Sequence, residues 1–160
     1  MQDNIIVKPS VEKQFDRFLR QGRVLFFSAP CGFGKTAVAE ALLSSREVLR
    51  LSADSAGFKL PSAEADWQIL LLDDLQDMQE EQDWNALCEL IRACPERRFV
   101  LLSRGTPPGS LMAFQYTGLM TVLEADDLLF DVDDVRRLLR LYGVEAADSE
   151  IDGILKESVG

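Results

Sequence analysis

Val24-Leu25-Phe26-Phe27-Ser28-Ala29-Pro30-Cys31-Gly32-Phe33-Gly34-Lys35-Thr36 reads as a buried strand, a tight loop and the start of a helix. A continuous apolar run, in place of strict alternation, marks a strand covered on both faces, the habit of parallel sheets. The loop follows the pattern G-x-x-x-x-G-K-[S/T], with Ala29 where the first glycine is usual, a departure of one methyl group. Gly32 and Gly34 let the backbone curl with no Cβ in the way, so that successive amides turn inward around an anion. A helix starting near Lys35 adds the positive end of its dipole and its unpaired amides. On this reading Pro30, Cys31, Gly32, Phe33, Gly34, Lys35, Thr36 and Ala37 surround a phosphate chain. Lys35 reaches the β- and γ-phosphates as a point charge and the Thr36 hydroxyl ligates Mg²⁺. A merely structural glycine turn is the plain alternative, and the strand that leads into Gly-Lys-Thr weighs against it.

The other half of such a site is an acid at the end of a second buried strand, and Ile69-Leu70-Leu71-Leu72-Asp73-Asp74 supplies it. Asp73 would hold Mg²⁺ and Asp74, one residue on, would polarise an attacking water as general base. Two solvated acids at a strand end are the alternative in isolation. A third strand, Phe99-Val100-Leu101-Leu102-Ser103-Arg104, carries polar residues at its carboxyl end, where parallel sheets bind ligands. Arg104 is a candidate sensor of the γ-phosphate and Ser103 a candidate to orient water. For Arg104 a plain surface arginine weighs equally on spacing alone.

Two more apolar runs, Val48 to Leu51 and Thr121 to Leu123, complete five expected strands. Helical stripes lie between them or beyond: Val11, Phe15, Phe18 and Leu19; Trp84, Leu87, Cys88 and Ile91, stopped by Pro95; Val135, Leu138, Leu139 and Tyr142, ended by Gly143. Ser149 with Asp152 resembles a capping box ahead of Ile151, Ile154 and Leu155. Loops are expected at 52–65 and 105–110. Strands alternating with helices imply a three-layer α/β fold, a mostly parallel five-stranded sheet flanked by helices in the P-loop NTPase manner, over residues 1–160. Residues 1–22 form an N-terminal segment and helix before the first core strand.

Composition bounds the chemistry. The 160 residues include no histidine, which excludes His-dependent triads and imidazole bases. The net charge of −10 argues against a nucleic-acid backbone laid over this surface. Residues 1–62 carry 9 basic and 6 acidic groups while the rest is strongly acidic, so the first third is the part suited to an anion. The 3 cysteines form no CxxC pair and read as reduced thiols. The N-terminus has no basic-led apolar run and no stretch is long enough to span a membrane, so a cytoplasmic location without membrane contact is expected.

The segments SAPCGFGKTAVAEALL, LLLDDLQ and FVLLSRGTPP together resemble the nucleotide-binding domain of MalT-like, LuxR-type transcriptional regulators, large ATP-binding proteins of the STAND class of P-loop NTPases. Leu128-Leu129-Phe130, leading into a helix over 131–142, is similar to that family's stretch after its fifth strand. The resemblance implies a switch, in which ADP holds a resting state, ATP with an inducer opens and multimerises the protein, and slow hydrolysis resets it. It implies downstream sensor repeats and a helix-turn-helix that alone touches DNA, making this chain the N-terminal piece of a longer regulator. By the same resemblance, Val7 and Pro9, within Ile5-Ile6-Val7-Lys8-Pro9, contact adenine. Cys31 stands where the family more often has a small residue. Two other function classes stay open: a small P-loop kinase phosphorylating a metabolite, and a degenerate domain that interacts without nucleotide. Neither Arg97-Arg98 nor Arg136-Arg137-Arg140 looks like a kinase lid, and intact Lys35, Thr36 and Asp73 speak against degeneracy.

Overall fold

The computed structural model describes residues 7–30, 32–141, 143–145, 147 and 149–153. In chain order the elements are α1 (Pro9–Gln21), β1 (Val24–Ser28), α2 (Lys35–Leu42), β2 (Leu49–Ser52), β3 (Ile69–Asp73), α3 (Glu81–Ala93), β4 (Arg98–Ser103), α4 (Met112–Tyr116), β5 (Met120–Glu124), α5 (Ala125–Leu128) and α6 (Val132–Leu141). All five strands run parallel in the order β2-β3-β4-β1-β5, so the expected mostly parallel sheet is wholly so. β4 is the middle strand and β1 an interior one, with Val24 beside Phe99 of β4 on one side and beside Met120 of the edge strand β5 on the other.

Both faces of the sheet are covered, which is why its strands read as unbroken apolar runs. Successive side chains point to opposite faces. Val24, Phe26, Leu70, Leu72, Phe99 and Leu101 accordingly join one core with Leu87, Cys88, Leu90 and Ile91 of α3. Leu25, Phe27, Leu71, Val100 and Leu102 join the other with Val11, Phe15 and Phe18 of α1 and Ala39 of α2. Phe26, Phe27 and Phe99 are wholly buried, and each such side chain contributes roughly 1.5–3 kcal/mol on removal from water.

The expected stripes are where the periodicity puts them, with differences at the ends. α3 stops at Ala93, two residues before Pro95. α6 begins after Asp131, whose side chain accepts from the Asp134 amide at 2.8 Å while the Asp134 carboxylate accepts from the Asp131 amide at 2.9 Å. Gly143 (φ 72°) ends it, with the Val144 amide reaching back to the Leu139 carbonyl at 2.8 Å. Tyr142, Ile154 and Leu155 lie outside the described residues. The capping box expected at Ser149 is displaced: the amides of Glu150 and Ile151 donate to the Ala147 carbonyl, and the Glu150 carboxylate accepts from the Ala147 amide at 3.3 Å. The last helical turn therefore starts earlier, and Ser149 lies inside it. No helix bridges β2 and β3. That crossover is irregular chain whose Phe58, Leu60 and Trp67 pack onto the α3-side core.

At the amino edge of the sheet Arg23 ties β1 to the end of α3. Its guanidinium donates to the carbonyls of Ile91 and Cys94, and to that of Arg97 at 3.3 Å. Arg98 donates to the Leu19 carbonyl of α1 at 3.3 Å. Arginines so placed sit at the negative ends of two helix dipoles. Burial first, then the neighbouring Arg98 charge, hold the Arg23 pKa below its ordinary value.

Candidate functional site

The carboxyl ends of β1, β3 and β4 converge on one cleft of about 440 Å³, lined by Gly32, Gly34, Lys35, Thr36, Ala37, Asp73, Asp74, Gln76 and Arg104. The sheet order explains the convergence, because β4 lies between β1 and β3 and brings Arg104 in between the glycine loop and the paired aspartates.

On the loop side Gly32 (φ 92°) and Gly34 (φ 73°) both hold left-handed backbone, which costs a residue with a Cβ about 1–2 kcal/mol. Gly34 caps α2 without a side chain, and no acid occupies the first turn of that helix. The positive end of its dipole is thus left to face the cleft. The Lys35 ammonium donates to the Pro30 carbonyl at 3.2 Å, across the mouth of the loop. Pro30 therefore contributes its carbonyl and does not line the cleft, and the Phe33 ring packs against the core on the α1 face. Cys31 is outside the described residues.

On the acid side the Thr36 hydroxyl donates to Asp73 Oδ2 at 3.0 Å, joining the two expected metal-binding residues directly. Asp73 Oδ1 accepts from the Asp74 amide at 2.7 Å. Asp74 takes φ 57° and ψ 38°, the only left-handed residue other than glycine among those described. Short polar Asp tolerates this conformation better than most side chains. It aims the carboxylate back over the strand end, where Asp74 Oδ2 accepts from the Ser52 hydroxyl at 2.8 Å and Oδ1 accepts from the Gln76 amide at 3.3 Å. The Ser52 oxygen is also 2.6 Å from Asp54 Oδ1. One hydroxyl proton thus serves two carboxylates in turn.

Ser52 and Gln76 carried no role in the sequence reading. Gln76 is visible there only as a polar residue two places behind Asp74, and Ser52 only as the end of an edge strand. Ser103, expected to orient water, is buried and stands outside the cleft lining. Its hydroxyl accepts from the Gly105 amide at 3.0 Å, while the Ser28 hydroxyl donates to the Gly105 carbonyl at 2.9 Å. The pair pins the turn after β4 to the end of β1. Val7 and Pro9 line a different cavity, of about 590 Å³, with Phe15 of α1, Ala41 and Leu42 from the end of α2, and Phe130. α2 is the wall between: its first turn faces the cleft and its last turn this second cavity.

The donor set suits a small hard cation. A hydroxyl and a carboxylate 3.0 Å apart offer two oxygens, the modest protein share typical of Mg²⁺ bound together with phosphate. No cluster of three or more His, Cys, Asp or Glu side chains among the described residues forms an all-protein metal cage. The charged residues lining the cleft, Lys35 and Arg104 against Asp73 and Asp74, cancel. A polyphosphate placed there would meet two carboxylates, and a divalent cation between them turns that repulsion into attraction.

A scan of known protein-family models finds no match, and no curated protein matches the sequence. Solved structures do share the fold. A DNA replication initiation factor superposes with a TM-score of 0.54 at 18% identity, covering 92% of this chain and 54% of that one. The Thermotoga maritima RuvB Holliday junction branch migration motor gives 0.54 at 18% identity, covering 94% and 56%. A STAND protein with a tetratricopeptide repeat sensor from Pyrococcus horikoshii gives 0.59 at 10% identity, covering 98% of this chain and 28% of the other. The chain spans little more than half the length of the first two. At this level of identity the likeness establishes the architecture: this is the P-loop NTPase fold. Among the described residues no helix is long and apolar enough to cross a membrane.

Proposed function

We propose that the chain is the ATP/ADP-binding switch domain of a MalT-like, LuxR-type transcriptional regulator, hydrolysing ATP slowly with Mg²⁺. The observation that carries the nucleotide reading is the 3.0 Å hydrogen bond from Thr36 to Asp73, which puts the glycine-loop hydroxyl and the β3 carboxylate at one point in the cleft. The regulator assignment rests on the sequence segments SAPCGFGKT, LLLDDLQ and LLSRG. The fold shared with a STAND protein supports it.

In this reading the loop amides and the α2 N-terminus hold the β-phosphate, and Lys35 and Arg104 meet the γ-phosphate. Mg²⁺, held by Thr36 and Asp73, would neutralise charge on the phosphate oxygens. Asp74 accepts a proton as water oxygen bonds to the γ-phosphorus and the bond from that phosphorus to the bridging oxygen breaks, giving ADP and phosphate. Val7 and Pro9 meet the base on the cavity side of α2. Because Arg104 meets only the triphosphate, ATP and ADP states differ in free energy, which a population shift requires. Self-association in the ATP state, sensor repeats downstream and DNA contact through a C-terminal reader belong to the same proposal, as does a cytoplasmic setting.

The test is equilibrium binding of fluorescent ADP, followed by ADP release from ATP and Mg²⁺ alone. Binding with slow turnover in the absence of any acceptor is expected. Failure to bind at near-millimolar ligand overturns the reading, and turnover only with an added acceptor would make the protein a kinase.

A further inference from the structure

We infer that Gln76 is a positioning residue that ties the Asp74 carboxylate to the chain at Arg104, so that the group meeting the γ-phosphate and the base that activates water move as one unit. The inference rests on the nucleotide reading above and adds to it the part that connects β4 to the base.

Gln76 sits in the single 3₁₀ turn Leu75–Asp77 that follows β3, and wholly buried Leu75 anchors that turn. Both ends of its amide are used. The oxygen accepts from the Arg104 backbone amide at 3.2 Å and the nitrogen donates to Asp74 Oδ1 at 3.3 Å. The chemistry fixes this orientation: a backbone N–H needs an acceptor and an ionised carboxylate needs a donor, so a flipped amide would leave both facing like groups. Only Gln supplies one of each at this reach. Glu would keep the contact to Arg104 and set a second carboxylate against Asp74.

The bridge extends further. Gly105, next to Arg104, is held by Ser103 at its amide and by Ser28 at its carbonyl. A continuous line of hydrogen bonds therefore runs from the end of β1, through the β4 loop and Gln76, to Asp74. The second oxygen of Asp74 is held by Ser52. Two donors from two elements set its rotamer, and the remaining lone pairs are left for water. The other charged groups around this point are Asp54 beyond Ser52, Asp73, Lys35 and Arg104.

The experiment compares the wild-type chain with Gln76→Ala and Gln76→Glu in two measurements: ADP affinity, and steady-state ATP hydrolysis resolved into kcat and KM. Expected for both variants are an ADP Kd within about twofold of wild type and a kcat lowered at least about tenfold, a fraction of the usual worth of a general base. Wild-type turnover with undiminished kcat in both variants would overturn the inference and leave the nucleotide reading intact. So would parallel losses in kcat and ADP affinity, the mark of a merely structural turn. Failure of the wild-type chain to bind ADP would overturn both.

Discussion

Gly34→Ala isolates the backbone contribution of the glycine loop between β1 and α2. Gly34 has φ 73°, and a Cβ built on it meets no atom within 4 Å, so the substitution introduces no clash. What remains is the left-handed conformation, about 1–2 kcal/mol for an L side chain, offset in part by the smaller unfolded-state entropy of Ala. The net loss is about 1 kcal/mol, which lowers Tm by roughly 2–4 °C in a domain of this size. Gly109 is the control, since it has equally open space but no left-handed φ. Gly109→Ala should melt at or slightly above the wild-type temperature. Gly34→Asn should fall between the two, because Asn adopts this conformation more readily than Ala. Thermal melting by circular dichroism in chelator, without nucleotide, reads all three. If Gly34→Ala and Gly109→Ala melt together, the left-handed strain is not what glycine relieves there, and the account of the loop fails. If the nest is the anion cradle, ADP affinity should follow the same order.

Lys35→Ala removes a charge-assisted contact worth about 1.5–3 kcal/mol, so fluorescent-ADP titration should show affinity lower by about 10- to 100-fold. Asp74→Asn keeps the left-handed turn and should bind ADP like wild type while turnover falls; loss of ADP binding would reverse the division of roles between Asp73 and Asp74. Chelating Mg²⁺ should weaken ATP binding sharply, because the charges lining the cleft cancel, and Asp73→Asn should bind ATP in chelator better than wild type does. The Asp134 amide, donating to Asp131, holds that carboxyl below the ordinary carboxylate range. Its contribution to stability is thus full above the unfolded-state pKa and is lost as pH falls through the lower folded one. Asp131→Ala should cost about 1 kcal/mol at neutral pH and less in acid, where the protonated carboxyl accepts more weakly, as read by urea melts at the two pH values.

Glycine spacing and unbroken apolar runs are local signals, and they made the strands, the left-handed glycine loop and the place of Asp73 at the end of β3 legible. What escaped depends on groups that meet only after folding. Gln76 gains its place from the backbone amide of Arg104, 28 positions away, and nothing in LLLDDLQ announces a backbone partner. Arg23 is equally silent, because it binds helix-end carbonyls. α4 and α5 are too short, at 5 and 4 residues, to show a helical period. Ser103 misled for the opposite reason: a polar side chain at a parallel strand end does face the ligand crevice in many sheets, but here the turn at Gly105 claims its hydroxyl first.

The place of β1 between two strands made later also sets a schedule for synthesis. Its neighbours in the finished sheet are β4 and β5, and the latter is made on the order of 100 residues later. At typical elongation rates that is roughly 5 to 20 s. Until β4 emerges Val24 to Phe27 have no strand to pair with, and one edge stays open until β5 follows, whereas β2 and β3 pair soon after they emerge. The strand buried at every position is therefore the one left longest without a partner. Slowed elongation between β1 and β4, or a chain released before β5, should expose it to aggregation and to chaperones that hold extended apolar segments.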